Sequence, residues 1–126
     1  MKNIVISLII SVIMIISMSF SIKYLNNVSQ DLVRLNDEIE KSITDGNWDR
    51  AYNTTIELTE KWKDYSKKIK LFSNHDEIDN IEMELQKLPQ YIKEKTKDES
   101  LASTYVLKFL LNHIADLEKV NIENIF

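Results

Sequence analysis

The strongest constraint on this chain is an uncharged, apolar run at residues 4–22, which contains neither proline nor glycine. As a helix, this run would extend over about 28 Å, close to the roughly 30 Å hydrocarbon core of a bilayer. Serine hydroxyls inside the run can bond to carbonyls of their own helix, so lipid tolerates them. The run therefore predicts a transmembrane helix and assigns residues 1–24 to an N-terminal signal anchor.

A cleavable signal peptide is the alternative to a retained anchor. The triplets SMS at residues 17–19 and SFS at 19–21 have the small-x-small pattern of a cleavage site. The apolar run is longer than the 7–15 residues of a typical signal peptide, however, and no Ala-x-Ala triplet is present. These observations favour the anchor.

The orientation in the membrane is predicted from the position of the anchor. Lys2 and Lys23 flank the run almost symmetrically, so the positive-inside rule gives little direction. Short N-terminal anchors usually leave the following domain outside the cytoplasm. We therefore expect a single-pass protein of the cell membrane, with a cytoplasmic N-terminus and an extracytoplasmic C-terminal domain.

The spacing of serines in the anchor raises the question of association between anchors. Small-xxx-small pairs allow two transmembrane helices to approach closely. Two such pairs occur here, Ser7 with Ser11 and Ser17 with Ser21. They could allow a homo-oligomer through the anchor, but serines in an isoleucine-rich helix more often reflect composition alone, and that interpretation is favoured.

Composition excludes several classes of protein. With a single glycine, a single proline and no cysteine, the chain has no Gly-rich phosphate loop, disulfide, thiolate metal site or cysteine nucleophile. Apart from Lys2, all of the 16 basic and 20 acidic residues follow residue 22, so the domain is net acidic. We expect no nucleic-acid partner, because such binding needs a clear positive footprint.

The rest of the chain, residues 25–126, has the periodicity of helices. A first apolar stripe runs from Val28 to Ile43 at spacings of three and four and stops at Asp45-Gly46-Asn47. No strong helix breaker separates it from the anchor, so this stripe belongs either to the bundle or to a stalk that continues the membrane helix.

Three further helices follow. The second carries an aromatic stripe from Trp48 to Phe72, and the third has Asn74 or Asp76 as its N-cap and contains Pro89, which should kink or divide it. Ser100 is expected to cap the last helix, whose wide apolar surface predicts burial by several neighbours. The fold class is all-α: an N-terminal transmembrane helix followed by a three- to four-helix antiparallel bundle.

Two groups of residues are candidates for partner binding. The basic cluster Lys61, Lys63, Lys67 and Lys68 could touch anionic headgroups near the membrane, although a solvated helix face is the usual role of such residues. The apolar C-terminus, with Ile122, Ile125 and Phe126, either folds back into the core or is presented to a partner. Fold-back is favoured.

Catalysis is not expected. His113 and Asp116 have the spacing of a helical metal-ligand pair, but no Glu-x-x-His motif accompanies them, and His75 lies in a predicted loop. No serine lies in a Gly-x-Ser-x-Gly turn. We predict no catalytic residues, no metal and no cofactor.

The end of the chain resembles a known family. LKFLLNHIAD at residues 107–116, Glu118 and the terminal NIENIF at 121–126 are similar to uncharacterised, short, membrane-anchored proteins of clostridia-like Firmicutes, the family of domain of unknown function 4363. The resemblance covers nearly the whole chain, including the anchor and a tryptophan near position 62. It implies no established activity and no catalytic residues. It also implies that such proteins are often encoded beside a YetF-like integral membrane protein.

Together these features predict a non-catalytic, membrane-anchored accessory or interaction protein that partners an integral membrane protein. The alternative is an extracytoplasmic ligand-binding sensor whose pocket lies along the aromatic helix. The aromatic stripe is more typical of a core than of a groove, and burial of Trp62 and Tyr65 distinguishes the two hypotheses.

Overall fold

The computed structural model contains four α-helices. They are α1 (Lys2–Thr44), α2 (Trp48–Ile69), α3 (His75–Lys93) and α4 (Lys97–Asn124). The structure describes the backbone of residues 1–71 and 73–124 and the side chains of residues 1–71 and 73–116. No strand occurs in these described segments, which confirms the all-α prediction.

The second half of α1 is part of a four-helix bundle. α1 packs against α2 and α4, and α3 packs against the same two helices on the opposite side. Contacts pair Asp31 with Lys61 and Tyr24 with Lys68, so α2 runs back along α1, as short connections require. The stalk alternative for residues 25–44 is therefore wrong, because α1 supplies core residues: Leu32, Leu35, Ile39 and Ile43.

The first half of α1 projects from the bundle. It contains the chain's one candidate membrane span among the described residues, and none of the span's apolar window is buried in the protein. α1 is helical without interruption from this span into the bundle. The predicted boundary between residues 24 and 25 therefore lies inside one helix.

Side chains and one glycine fix the helix ends. Asn47 caps α2 by accepting a hydrogen bond from the Arg50 amide at 3.2 Å, and Asn74 caps α3 by accepting from the Asp76 amide at 3.1 Å. Gly46 has φ +75°, the left-handed conformation that ends many helices. The positions of these breaks agree with the sequence prediction, and Asn74 is the cap of α3.

Two local predictions for α4 need correction, and one of the two alternatives for α3 is excluded. α3 is continuous through Pro89, so the proline does not divide the helix. α4 begins at Lys97, so Ser100 lies inside the helix and is fully buried, and it does not cap it. The surface of α4 is not buried all round, because Tyr105 and Phe109 are 75% and 65% exposed. Among the described side chains of α4, Leu107, Leu111 and Ile114 are buried in the core, and Leu101 and Leu110 pack against it.

Candidate membrane interface

The junction between span and bundle is closed by a contact between α1 and α2. The uncharged run ends at Ile22, and Lys23 and Tyr24 follow it directly. The Lys68 ammonium donates a hydrogen bond to the Tyr24 hydroxyl and lies 4.5 Å from the centre of its ring. Tyrosine is typical of the membrane–water interface, where its ring is half in lipid and its hydroxyl is wet. The end of α2 is thus held at the level at which α1 leaves its apolar run.

A second contact between the two helices sets their register. The Lys61 ammonium is 2.6 Å from the Asp31 carboxylate, which also accepts two bonds from Arg34. Lys61 and then Arg34 lower the pKa of Asp31 through these hydrogen bonds. Lys61 precedes Lys68 by seven residues, or about 10 Å along a helix, so this ion pair lies deeper in the bundle than the Tyr24 contact.

The four predicted basic residues do not form one patch. Lys61 is engaged with Asp31, and Lys63 is exposed beside a groove between α2 and α3. Lys67 and Lys68 are exposed in the last turn of α2, next to the span. The structure therefore divides the predicted cluster into a structural lysine, a groove lysine and a pair near the span.

The predicted partner-binding residues leave out several that complete this end of the bundle. Lys70 and Leu71 follow the last turn of α2, and the Leu71 side chain is 88% exposed. Lys23 and Tyr24 adjoin them from α1. The signal was available only in part: the lysines were visible in the sequence, but their proximity to Lys23 depends on the register of α2 on α1.

Acidic residues share the same end on the opposite side. Asp76 and Glu77 begin α3, and Asp116 is exposed on α4. Glu77 Oε1 lies 3.4 Å from Nε2 of His113, which is an ion pair when the histidine is protonated. Among the side chains that the structure describes, the lysines at this end therefore lie on α1 and α2, and the exposed carboxylates of Asp76 and Asp116 lie on α3 and α4.

One face of the span continues the face of α1 that enters the bundle. Positions 25, 28, 32, 35 and 39 pack in or against the core at alternating spacings of three and four. The same alternation continues upstream through Ser7, Ser11, Met14, Met18 and Ser21. The Ser11 and Ser21 hydroxyls donate to the carbonyls of Ser7 and Ser17, so they are satisfied within the helix. This face has smaller and softer side chains than the isoleucine-rich remainder.

The aromatic helix is mostly core. Trp62 and Tyr65 are 1% and 2% exposed, while Trp48 and Tyr52 are partly buried at its start. A groove of about 300 Å³ lies beside the indole of Trp62, and Lys63 and Glu82 form part of its wall. The Trp62 Nε1 donor is buried and has no partner among the described residues. Phe72, the predicted end of the stripe, lies outside them.

Other predicted residues have these positions. Ile122, Ile125 and Phe126 lie outside the described side chains. His113 is exposed on α4 and stacks on Phe109 at 6.0 Å, while His75 begins α3. Within the described part of the chain, no three His, Cys, Asp or Glu residues are grouped to hold a metal ion.

Comparison with known proteins gives one family. A family model described as domain of unknown function (DUF4363) matches residues 19–125, from the end of the span through the whole bundle. This confirms the family that the end of α4 suggested. Neither a curated protein nor a solved structure matches the chain.

Proposed function

Because the chain belongs to the family of domain of unknown function 4363, we propose a function from its own geometry: a non-catalytic, membrane-anchored helical accessory protein. The observation that carries the proposal is the exposed apolar half of α1, which is long enough to cross a bilayer and is continuous with a bundle helix. A soluble bundle would have to leave this surface in water, at a cost proportional to its apolar area.

The mechanism is tethering. The anchor confines the bundle to the membrane surface and so raises its effective concentration near a membrane partner. The N-terminus is cytoplasmic and the bundle extracytoplasmic. The partner is an integral membrane protein, and the family resemblance suggests one that is YetF-like. The serine–methionine face of the span supports such a partner, because small and flexible side chains permit close packing of transmembrane helices.

Affinity capture from native membranes tests this proposal. The full chain, solubilised in mild detergent, is expected to retain a specific integral membrane protein. A chain that lacks residues 122–126 is compared in parallel, and circular dichroism checks that it is folded. Loss of the partner with the fold intact supports docking through Ile122, Ile125 and Phe126. Loss of the fold on truncation instead assigns the tail to the core.

Anchoring itself has a separate test. The chain should remain in the membrane pellet after extraction with alkaline carbonate, and a variant with Ile9→Lys and Ile13→Lys should be released or fail to insert. Tyr105→Lys with Phe109→Lys is the matched control, because it adds the same charge at the same spacing, at exposed positions of α4. Extraction of the unmodified chain by carbonate would overturn the proposal.

The groove beside Trp62 favours one second candidate, an extracytoplasmic ligand sensor. Trp62 lines this groove together with Thr59 and Leu85, so a small ligand bound there would contact the tryptophan side chain. Ligand screening by the shift in thermal unfolding temperature tests this idea. A ligand that stabilises the full chain but not its Trp62→Phe variant would support the sensor. Equal shifts in both proteins would count against it.

A further inference from the structure

Four lysines and one exposed leucine adjoin the span at the end of the bundle. The lysine rim consists of Lys23 on α1 together with Lys67, Lys68 and Lys70 at the end of α2, and all four are exposed. Leu71 follows them and is 88% exposed. Unlike the exposed aromatics of α4, this leucine lies beside the span rather than along the side of the bundle.

The register of α2 along α1 shows where the lysine rim and Leu71 lie relative to the end of the span. The pairs Asp31–Lys61 and Tyr24–Lys68 are both seven residues apart along their helices, so one register holds throughout. The same register brings Ile69, the last residue of α2, level with Lys23, which directly follows the uncharged run. Lys70 and Leu71 form the turn after α2 and so lie at this boundary. When α1 spans a bilayer, the boundary is at the depth of the lipid headgroups.

We propose that the lysine rim binds the phosphates of anionic phospholipids and that Leu71 enters the interfacial layer beside them. The inference rests on the proposed anchoring and adds a lipid preference to it. Lysines suit this task because their long stems lie along apolar surface while the ammonium remains at the phosphates. Lys68 can take part while bonded to Tyr24, because an ammonium has three donors.

The distribution of charge limits where lipid binds. Asp76, Glu77 and Asp116 repel anionic headgroups from the α3–α4 side of the same end. The contact therefore belongs to the α1–α2 side, and it tilts the bundle so that this side is nearer the bilayer. Each lysine near an anionic surface strengthens binding by about fivefold at moderate salt, and the gain falls as the Debye length shortens.

A probe at position 71 of the full chain tests the contact. The chain has no cysteine, so Leu71→Cys gives a single site for a nitroxide spin label. The labelled protein is reconstituted in vesicles of phosphatidylcholine alone or with 30 mole percent phosphatidylglycerol. Power saturation then measures how accessible the label is to oxygen and to a water-soluble nickel chelate. We expect phosphatidylglycerol to raise access to oxygen and lower access to nickel.

Matched lysine variants identify the cause. Lys67→Gln, Lys68→Gln and Lys70→Gln together should abolish the effect of phosphatidylglycerol, as should 1 M sodium chloride. Lys93→Gln, Lys95→Gln and Lys97→Gln are the control at the far end. This control also removes three lysines. One of them, Lys93, lies over a tyrosine ring as Lys68 does: its ammonium is 5.8 Å from the centre of the Tyr52 ring. This control should leave the effect unchanged.

The possible results separate the inference from the proposed function. A label with the same accessibility in both lipids, or an effect removed equally by both triple variants, overturns the inference. Flotation of the vesicles tests the anchor independently: a chain that does not float with them contradicts the anchoring itself. A second label at Lys41, at the far end of α1, should be accessible to nickel in every vesicle.

Inorganic phosphate distinguishes the bilayer surface from a site for single phosphates. At equal ionic strength, phosphate and chloride should weaken the effect of phosphatidylglycerol equally. Selective reversal by phosphate would show a discrete anion pocket and would contradict binding to a lipid surface.

Discussion

At the scale of residues, two polar side chains of α1 fix how its neighbours pack. Asp31 ties α1 to α2 through Lys61, and Asn36 ties α1 to α4 by donating from Nδ2 to the Thr104 carbonyl at 2.8 Å. The first is a partly exposed ion pair, whereas the second is fully buried. Their energetic roles should differ accordingly.

Replacing Asp31 by asparagine is expected to lower the free energy of unfolding by at most about 1 kcal/mol at pH 7, because exposed ion pairs contribute little. The Lys61 and Arg34 contacts lower the pKa of Asp31 in the folded chain. Its contribution is therefore complete above the unfolded pKa and is lost as pH falls through the lowered folded value. Urea unfolding of the full chain in detergent micelles should show the difference at pH 7 and a progressively smaller one as pH falls below the usual range of a carboxyl group.

Asp37→Asn is the matched control for this ion pair. Asp37 pairs with Lys108 at 3.1 Å, and both side chains are about half exposed. We expect a smaller loss of stability than for Asp31→Asn. A larger loss in Asp37→Asn, or an Asp31 effect that grows toward low pH, would contradict this account.

The change in stability when Asn36 is replaced should depend more on the size of the new side chain than on its polarity. Asn36→Ala removes a buried hydrogen bond and leaves a cavity, so we expect a loss of about 1–3 kcal/mol in the free energy of unfolding. Asn36→Leu fills the space and removes the Oδ1 acceptor, which is buried without a partner among the described residues. It is expected to be neutral or stabilising. An equal loss in both variants would show that the hydrogen bond dominates.

Sequence periodicity identified the core face of α1 and much of that of α2, but neither the core face of α4 nor the polar contacts. The apolar stripe of α1 is buried where spacing predicted it, as are Trp62 and Tyr65. The buried Asn36 could not be predicted, because its partner is a backbone carbonyl 68 residues away. The division of the predicted lysine cluster into separate positions could not be predicted either, because it depends on how α2 is aligned along α1.

At the scale of elements, α1 and α3 end with the same geometry but with different residues. Gly46 has φ +75° after α1, and Lys95 has φ 53° after α3. In each case the next amide reaches back to the last turn: Asn47 donates to the Ser42 carbonyl and Thr96 to the Tyr91 carbonyl. This is the Schellman ending, in which glycine avoids the strain that a Cβ brings.

Exchanging these residue types should change stability in opposite directions. Gly46→Ala is expected to lower the free energy of unfolding by about 1 kcal/mol through backbone strain, since a Cβ there would have open space. Lys95→Gly should raise it by about 0.5–1 kcal/mol, because relief of strain outweighs the added freedom of the unfolded chain. Denaturation followed by circular dichroism measures both. The same sign in both variants would contradict the strain argument.

Helix boundaries were predictable where a side chain or glycine marks them. Asn47 and Asn74 do so, and the predicted breaks agree with the structure. The prediction for Ser100 failed, because this residue resembles a cap but follows a charged segment that is itself helical. For Pro89, division of the helix is excluded, and the buried residues Leu88 and Ile92 hold α3 in the core on both sides of the proline.

At the scale of the whole molecule, continuity of α1 predicts a fixed distance between span and bundle. Spin labels on Ile16→Cys and Thr44→Cys should be separated by about 42 Å along the helix, with a narrow distribution in double electron–electron resonance. Insertion of Gly-Ser-Gly-Ser between Ile22 and Lys23 should broaden the distribution without unfolding the bundle. The same insertion between Lys95 and Thr96 is the control and should leave it narrow.

The outcome would be decisive for the architecture. A broad distribution in the unmodified chain would show that span and bundle move independently. Sequence could suggest this continuity only by the lack of a breaker at residues 24–27. Whether the following stripe entered the bundle depended on α2 and α4 packing against it, which no local pattern encodes.

Because α1 is uninterrupted, the span and the bundle should move together as one rigid body. The 43 residues of α1 extend over about 65 Å, and when α1 spans a bilayer as proposed, about half of this length lies above the membrane. A change of about 10° in the tilt of the span, well inside the range that transmembrane helices adopt, would swing Thr44 by about 6 Å. A thinner bilayer, or a partner helix that changes the tilt of the span, would thus displace the far end of the bundle sideways.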